Sequence, residues 1–430
     1  MAKKRNNSRF IPKRRADRRI EKNASAIRKN RRAVDAERLT SSVIRQRGFF
    51  ELLDSSGFAS IPRCPHGPCL LFGERTGRKR RWFSCAVYRS SAACNFRVDV
   101  RGDGTLPGFD KAEPLSFNYR YGECLQRYRV LKKTGASVSY CRTCESCVPS
   151  NHVTKHNFSA PLEELTHPSR ILNAMNVDDG EAQYWFSDAS ISVISDALRE
   201  NRVDGVICIG APSVFESLGP TETRRLMLDI DHRFARFYSK SEFVHYSLLV
   251  NHFYECDGNQ RVLNFLKGLK RVAVVCDPPF GAFMSAILTS IQKIRTNWCE
   301  SIHVNSIIAV PIFVGKHLER EHFSMIDFKV TYTNHKQFSS ADRTIVRFFT
   351  DFPAESFKLS LNDGYRYCNI CNRFVCNENV HCEICKKCPS KDGTAYSHCS
   401  ICGFCVKPTY EHCQSCTRCH LRGRCARENC

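Results

Sequence analysis

The chain has 430 residues, of which 42% are hydrophobic and 11% aromatic, and it carries a formal net charge of +22. This length and apolar content exclude a wholly disordered protein and predict two or more domains with at least one sizeable core. No apolar run approaches the roughly 20 residues that span a bilayer, and the start of the chain lacks the apolar segment of a signal peptide. We therefore expect an intracellular protein with no membrane contact.

Residues 1–60 are predicted to form a basic tail, partly disordered or helical. Residues 1–40 hold fifteen Lys or Arg and four Asp or Glu, which accounts for half of the net charge. Such a segment serves as a nuclear or nucleolar address or as a grip on nucleic-acid phosphates, and the sequence leaves both open. We expect the protein in the nucleus or nucleolus, with the cytoplasm as a further location.

The 26 cysteines predict metal sites, because reduced intracellular thiols in CxxC spacing usually bind zinc. Residues 61–100 contain "RCPHGPCLLF" followed by "RRWFSCAVYRSSAACNF". This segment resembles a GRF-type zinc finger, a family associated with single-stranded nucleic acid. Its candidate ligands are Cys64, His66, Cys85 and Cys94, with Cys69 as a competitor for Cys64.

Arginines and aromatics lie between these ligands. Arg80 and Arg81 suit phosphate contact, and Trp82 and Phe83 suit base stacking. The two rings could equally fill the small core of the finger, and the sequence does not decide between these roles.

Residues 101–163 contain a second zinc pattern, "CRTCESCVPSNHVTKH". Cys141, Cys144, His152 and His156 match a shortened C2H2 finger, and two histidines four residues apart lie on one face of a helix. The short loop indicates a structural or RNA-facing module.

Residues 164–357 are predicted to form an α/β domain. The apolar runs "GVICIG", "RVAVVC" and "VNSIIAVPIFV" are typical of buried parallel strands, and "GAFMSAILTSIQKI" is typical of an amphipathic helix. Their alternation predicts a sheet with helices on both faces, in which ligands collect at the carboxyl ends of the strands.

A cofactor loop is predicted after the first of these strands. Gly210 occupies a tight turn there, and "RLMLDIDHRF" places Asp231 about 20 residues later, the interval at which an acid reaches a ribose hydroxyl. Asp229 has the same strand parity and remains an alternative. Either carboxylate could instead cap the next turn.

The strand "RVAVVC" runs into Asp277, Pro278, Pro279 and Phe280. This arrangement resembles the [DNS]-PP-[YFW] motif of S-adenosylmethionine-dependent amino methyltransferases. The Asp277 carboxylate and the Pro278 carbonyl would accept the two hydrogens of an adenine amine and localise its lone pair. Phe280 would stack on the unstacked base.

Residues 364–430 hold fourteen cysteines and include three copies of the repeat HCxxCxxC. Because each copy serves two metals, the sequence predicts interleaved zinc sites whose binding energy folds the segment. The predicted ligand sets are Cys368, Cys371, His381 and Cys388; Cys382, Cys385, His398 and Cys405; Cys399, Cys402, His412 and Cys419; and Cys413, Cys416, Cys425 and Cys430.

Taken together, this order of modules resembles the CCHC zinc-finger-containing rRNA N6-adenosine methyltransferases, from about residue 60 to the end. The resemblance implies a Rossmann-like S-adenosylmethionine methyltransferase domain flanked by zinc modules, acting on large-subunit ribosomal RNA with ribosome-assembly proteins as further partners. It assigns Asp277–Phe280 to catalysis and Asp231 and Asp277 to the cofactor. It also assigns two segments to the cofactor pocket, namely Gln183, Tyr184, Trp185 and Phe186, and Asn251, His252 and Phe253. Roles in the core or in hydrogen bonds are the alternatives for these residues.

Two other functions remain open from the sequence. One is a zinc-dependent RNA-binding protein with an inactive methyltransferase fold, which the single glycine of the cofactor loop favours. The other is methylation of DNA or protein, because the four-residue motif also serves DNA adenine and glutamine substrates.

Overall fold

The structure is a computed structural model of the whole chain. It describes residues 50–75, 77, 79–88, 90–109, 112–135, 137–149, 152, 158–161, 165–175, 182–219, 223–298 and 302–425, with the backbone alone at 158–161 and 297–298. Most of the predicted basic tail therefore lies outside the described residues. No helix in the described part of the chain is both long enough and apolar enough to cross a bilayer.

The chain divides into two compact units. The first unit takes the described part of residues 1–60 together with Leu70–Ser84 and Arg97–Phe109, and the second takes Ile61–Cys69, Cys85–Phe96 and everything from Asp110 onward. The N-terminal strands are β1 (Phe50–Leu52), β2 (Arg63–Cys64), β3 (Gly67–Glu74), β4 (Arg81–Cys85) and β5 (Arg97–Asp99).

The first unit is an antiparallel β-structure with an aromatic core. Phe50 pairs with Glu74 between β1 and β3, and Trp82 pairs with Asp99 between β4 and β5. Phe83 is fully buried and meets Phe58 edge to face, and Trp82 is 8% exposed with the Arg97 guanidinium 4.4 Å from its ring centre. These two rings are therefore core residues of the first unit and not an exposed stacking surface.

The second unit begins with a small helix and sheet module. Helix α1 (Glu123–Lys133) precedes a three-stranded antiparallel sheet in the order β7-β6-β8, formed by β6 (Val138–Cys141), β7 (Ser146–Pro149) and β8 (Phe158–Pro161). Arg127 on α1 donates to the Cys147 carbonyl at 2.7 Å, which attaches the helix to β7.

An eight-stranded sheet forms the centre of the second unit, in the order β12-β11-β10-β9-β13-β14-β16-β15. Strands β9, β10, β11, β13 and β14 are parallel, whereas β12 pairs antiparallel with β11, and β16 pairs antiparallel with both β14 and β15. The elements are α2 (Pro168–Ile171), α3 (Asp188–Glu200), β9 (Gly205–Ile209), α4 (Pro212–Ser217), β10 (Arg224–Asp229), β11 (Phe243–Ser247), β12 (His252–Phe253), α5 (Gly258–Leu266), β13 (Arg271–Cys276), α6 (Met284–Trp298), β14 (His303–Pro311), α7 (Gly315–Arg320), β15 (Ser324–Ile326) and β16 (Val346–Thr350).

Both faces of this sheet are covered, because its central strands are apolar on both sides. In β9, Val206 and Cys208 join one buried cluster, and Ile207 and Ile209 join another on the opposite face. Alternate residues of a strand point to opposite faces, so a continuous apolar run requires helices on each side. The predicted α/β class is thus confirmed.

Three short hairpins follow the sheet. They are β17 (Tyr365–Cys368) with β18 (Arg373–Cys376), β19 (Ser397–Cys399) with β20 (Phe404–Val406), and β21 (Tyr410–Cys413) with β22 (Arg418–Leu421). Large apolar side chains such as Ile370 and Ile384 remain exposed here. We therefore expect metal binding to contribute much of the folding energy of these hairpins.

Candidate active site and zinc clusters

The catalytic motif lies where β13 ends, next to the loop that follows β9. The Asp277 amide donates to the Ile209 carbonyl at 3.0 Å. Gly210 has a φ of +62°, and a Cβ placed on it would lie 2.8 Å from the Asp277 carbonyl oxygen. Only glycine fits this left-handed turn against a second main chain, so the two loops form one surface.

The Asp277 carboxylate is held by a residue from a distant loop. The Tyr332 hydroxyl donates to its Oδ1 atom at 2.9 Å, and Tyr332 is 1% exposed. Burial raises the pKa of Asp277 well above its usual value, and the Tyr332 hydrogen bond opposes that shift because it favours the charged form. Tyr332 therefore orients the carboxylate and favours its ionised form.

Phe280 belongs to a cluster of aromatic rings. Its ring stacks near Tyr184 with centroids 5.7 Å apart and contacts Tyr332 and Phe338, each at 5.9 Å. Phe186 in turn stacks on Tyr332 at 5.0 Å. Tyr184 and Phe186 of the predicted segment 183–186 thus pack around the catalytic motif. Phe280 itself remains partly exposed.

A cavity of about 350 Å³ opens over the carboxyl ends of β9, β10, β11 and β13. Gly210 and Asp277 both line it, as the sequence predicts for cofactor-binding residues. Its lining from the central sheet and the adjoining loops comprises Ile209, Gly210, Leu228, Asp229, Ile230, His232, His245, Tyr246, Ser247, Leu248, Leu249, Asp277, Pro278 and Pro279.

Besides Asp277, the acid in this lining is Asp229. Its Oδ1 atom accepts from the Asp231 amide at 2.8 Å, whereas its buried Oδ2 atom has no hydrogen-bond partner among the described residues. Burial, followed by the charge of Asp231, raises the pKa of Asp229 to about 7. A buried acceptor without a partner is costly unless a ligand satisfies it, so Asp229 fits a sugar hydroxyl donor.

Asp231 lies outside the described lining of the cavity, and its role at the cofactor stays a prediction. Its carboxylate forms a salt bridge with Arg233 at 2.7 Å and accepts from the Arg233 amide, which caps the turn that follows. The physical reason is the end of β10 at Asp229: the chain turns after that residue, which leaves Asp231 engaged with its own turn.

Trp185 and Phe186 lie beside a second cavity. Both are buried, and this cavity has a volume of about 550 Å³. Gln183 accepts from the Met175 amide at 3.1 Å and approaches Asp231 at 3.4 Å. Gln183, Tyr184, Trp185 and Phe186 are all missing from the described lining of the smaller cavity, and their assignment to the cofactor stays a prediction.

The predicted Asn251, His252 and Phe253 segment lies beside the cavity and not in its described lining. Asn251 has a φ of 47° and accepts from the Tyr246 hydroxyl at 2.6 Å. His252 contacts Arg63 at 3.2 Å, and burial with this cation lowers the His252 pKa to about 4. These residues shape the turn, while their neighbours Tyr246–Leu249 reach the cavity.

Four C-terminal clusters have ligand atoms within 4.8 Å of one another. In each of the first three, His Nδ1 lies 3.2 Å from the second cysteine of a CxxC pair, at His381, His398 and His412. Zinc with Zn–S of about 2.3 Å and Zn–N of about 2.0 Å separates its tetrahedral ligands by roughly 3.5 Å, so these clusters fit zinc. Their ligand sets are Cys368, Cys371, His381 and Cys388; Cys382, Cys385, His398 and Cys405; and Cys399, Cys402, His412 and Cys419.

The fourth cluster contains three of its four predicted ligands. It contains Cys413, Cys416, His420 and Cys425, whereas Cys430 lies outside the described residues. His420 was missed because the last group lacks the seven-residue step between His and Cys that the other three share. The sequence feature that could have identified His420 as a ligand is its position between the CxxC pair and the final cysteine of the cluster.

The N-terminal finger forms a fifth cluster from Cys64, His66, Cys85 and Cys94, all in the second unit. His66 Nδ1 lies 3.9 Å from the Cys64 sulfur and 3.7 Å from the Cys85 sulfur, distances that fit a shared zinc. Cys69 is buried outside this set.

The predicted C2H2 group is described only in part. Cys141 and Cys144 lie together, and the Cys144 sulfur is 3.3 Å from His152 Nε2. His152 lies in a bend and not in a helix, while His156 lies outside the described residues.

The known proteins that this chain resembles are methyltransferases, in agreement with the geometry of the site. Residues 177–353 match the family described as "Probable N6-adenine methyltransferase". The rRNA N(6)-adenosine-methyltransferase ZCCHC4 of Homo sapiens is 30% identical over 372 residues, covering 77% of this chain and 72% of the relative. The Xenopus laevis protein of the same name is 31% identical over 374 residues, covering 78% and 75%, and the Mus musculus protein is 31% identical over 377 residues, covering 79% and 73%. At this identity and coverage, the chain belongs to the rRNA N(6)-adenosine-methyltransferase ZCCHC4 family.

Proposed function

We propose that the protein transfers a methyl group from S-adenosylmethionine to the N6 amine of an adenosine in large-subunit ribosomal RNA. Its relatives are named rRNA N6-adenosine methyltransferases. The observation that carries the reaction type is the juxtaposition of Asp277, held by Tyr332, with a cavity whose acid Asp229 retains an unsatisfied oxygen.

The chemical task is to make an aromatic amine nucleophilic. The lone pair of the adenine N6 atom is delocalised into the ring, and two acceptors aimed at the amine hydrogens draw it toward the methyl group. The Asp277 carboxylate and the Pro278 carbonyl supply this pair, and the rigidity of the two prolines fixes their spacing. Tyr332 keeps the carboxylate in one orientation, so no reorganisation is needed when the base arrives.

The cofactor supplies an electrophilic methyl group when bound. Asp229 is placed to accept from its ribose hydroxyls, and the apolar neighbours Leu228 and Ile230 line the same cavity. Gly210 brings the main chain of the cofactor loop against the catalytic motif. These residues hold the cofactor where Asp277 can direct the amine to it.

The target base requires a surface on which to stack. Phe280 is partly exposed and already lies among Tyr184 and Tyr332. An unpaired adenosine in a loop or bulge offers its face to such a ring, whereas a base within a helix does not.

The test is methyl transfer by the purified full-length chain. We expect tritium from labelled S-adenosylmethionine to enter N6-methyladenosine in large-subunit ribosomal RNA, and not in the separated small-subunit RNA. Asp277→Ala should abolish the transfer while leaving zinc content and RNA affinity unchanged. Retained activity in that variant, or label in DNA or protein instead of RNA, would overturn the proposal.

We further infer a nucleolar location and contact with ribosome-assembly proteins, both supported by the basic composition of residues 1–40. Neutralising Lys13, Arg14, Arg15, Arg18 and Arg19 in a tagged chain should reduce nucleolar accumulation in imaging. An unchanged distribution would contradict this assignment.

A further inference from the structure

Part of the cofactor cavity is built by the N-terminal zinc finger and not by the methyltransferase sheet. His66 lines the cavity, and so do Ala86, Val87 and Tyr88, which follow the ligand position Cys85 directly. All of these residues belong to the second unit. The segments that carry zinc ligands are therefore the segments that face the cavity.

The placement of these lining residues depends on the ligand groups. The Tyr88 amide donates to the Cys85 sulfur at 3.3 Å, and the Tyr88 ring meets the His66 ring edge to face at 4.7 Å. Zinc fixes both the Cys85 sulfur and the His66 ring, so it also fixes Tyr88.

The finger is attached to the sheet on its cavity side. The Tyr254 hydroxyl donates to the His66 carbonyl at 2.8 Å, and the Tyr254 ring stacks on His245 of β11 at 3.9 Å. A Cβ on Gly67 would lie 3.2 Å from the His252 ring, which shows how closely the finger backbone approaches β12. The ligand loop thus packs directly on the β11 and β12 side of the sheet.

The order of the strands in the sheet indicates which end of the cavity the finger covers. Asp277 follows β13, Asp229 ends β10, and β11 lies one strand further from β13. Asp277 and Asp229 would hold the methyl-bearing and ribose parts of the cofactor, which would leave the residues on the β11 side of β10 to contact its adenine. The finger lies at that end, where Val87, Leu115 and Phe117 make the lining apolar.

We propose that the N-terminal zinc finger is part of the cofactor site, with Val87 and Tyr88 covering the adenine. Zinc bound by Cys64, His66, Cys85 and Cys94 holds these residues in place, so zinc and cofactor bind cooperatively. If zinc raises the affinity for the cofactor, thermodynamic linkage requires the cofactor to raise the affinity for zinc by the same factor. The proposal rests on the proposed function only in taking S-adenosylmethionine as the cofactor.

The test compares two zinc-ligand variants of the full-length chain, with S-adenosylhomocysteine as the probe in calorimetric titration. Cys94→Ser removes a ligand of this finger, and Cys402→Ser removes a ligand of the third C-terminal cluster. We expect each variant to lose one equivalent of zinc by elemental analysis. Cys94→Ser should raise the dissociation constant of the probe by about tenfold or more, and Cys402→Ser should leave it within about twofold of wild type.

Two further measurements keep the test decisive if Cys94→Ser fails to fold. Tyr88→Ala should retain all zinc and weaken the probe by about fivefold, because it removes one aromatic contact. In the wild type, the probe should slow the release of one equivalent of zinc to a colorimetric chelator.

Wild-type probe affinity in Cys94→Ser or in Tyr88→Ala, or zinc release that the probe does not affect, would overturn the proposal. Failure of the wild-type chain to bind the probe at all would instead count against the proposed function. The two failures are therefore distinguishable.

Discussion

At the scale of single residues, the charge state of Asp277 determines whether the site can act. Its carboxylate must be ionised to accept from the amine, yet burial raises its pKa. The Tyr332 hydroxyl, 2.9 Å away, is the contact that favours ionisation. We therefore expect methyl transfer to be lost at low pH, and the pH at which it is lost to depend on the Tyr332 hydrogen bond.

We expect Tyr332→Phe to shift the acid limb of the pH–rate profile to higher pH. The lost hydrogen bond stabilised the charged form, so its removal raises the Asp277 pKa further and a higher pH is needed to reach the carboxylate. Measuring kcat/KM across pH for both proteins checks this. Tyr238→Phe, which removes another buried tyrosine hydroxyl away from Asp277, should leave the limb in place; an unmoved or acid-shifted limb in Tyr332→Phe would contradict the assignment.

Asp229 at the end of β10 and Asp231 in the turn that follows should have different roles, the first in ligand binding and the second in stability. Asp229→Asn should weaken S-adenosylhomocysteine by about tenfold or more, because hydrogen bonds to charged groups contribute about 1.5–3 kcal/mol. Asp231→Asn should instead lower thermal stability, since it weakens the Arg233 salt bridge. Calorimetric titration and thermal unfolding of both variants distinguish the roles, and a larger affinity loss in Asp231→Asn would reverse them.

At the scale of elements, the site exists because two loops meet over adjacent parallel strands. The loop after β9 and the loop after β13 touch at Gly210 and Asp277, and their strands are paired from Gly205 to Ile209. Parallel pairing places both carboxyl ends at one edge of the sheet, where ligands bind in this class of fold.

Gly210→Ala should disrupt this meeting point. The added Cβ would lie 2.8 Å from the Asp277 carbonyl oxygen, at a φ of +62° that alanine rarely adopts. We expect S-adenosylhomocysteine affinity and methyl transfer to fall together by about tenfold or more, because strain at such a position costs about 1–3 kcal/mol and displaces the catalytic loop. Gly219→Ala, whose Cβ meets nothing within 4 Å, is the matched control and should behave as wild type. Normal affinity in Gly210→Ala would show that the loops can separate without consequence.

At the scale of the whole second unit, the first C-terminal hairpin is joined to the sheet by a buried polar contact. Asp327 is fully buried and accepts from the Cys376 amide at 2.9 Å and from the Asn379 side chain at 2.8 Å. The guanidinium of Arg347, also fully buried, lies 3.9 Å from the same carboxylate. The first C-terminal zinc cluster brackets this contact in sequence, so the module and the sheet are expected to unfold together.

Asp327→Ala should destabilise the protein by about 3–5 kcal/mol, because it leaves Arg347 buried without a countercharge. Glu319→Ala breaks a second link between the same regions, the exposed salt bridge to Lys391, and should cost no more than about 1 kcal/mol. Thermal unfolding of the zinc-loaded variants measures both. Equal shifts of the melting temperature would show that burial of the contact is unimportant.

Much of this protein follows from local sequence. The strands β9, β13 and β14 were predictable because continuous apolar runs can be satisfied only between two helical layers. The first three C-terminal clusters were predictable because their repeat has a fixed step, and the Asp277–Phe280 motif because its residue types match a chemical task. The family assignment from the order of modules is confirmed by the relatives.

Other features depend on contacts that no local pattern encodes. Tyr332 lies 55 residues from Asp277 in a loop without periodicity. Asp229 and Asp231 share one strand parity, so only the end of β10 at Asp229 separates a cavity residue from a capping residue. The approach of the zinc finger to β11 depends on residues such as Tyr254 and His66, which are far apart in the chain.

The sequence by itself determined the α/β class, the zinc-binding character and the reaction type, because periodicity, ligand spacing and motif chemistry are properties of neighbouring residues. The tertiary structure alone decided which acid of the β10 end lines the cavity, which tyrosine holds Asp277 and which module covers the far end of the cavity. The physical reason is that burial and hydrogen-bond partners are set by the packing of distant segments, and these partners determine the charge and orientation of each functional group.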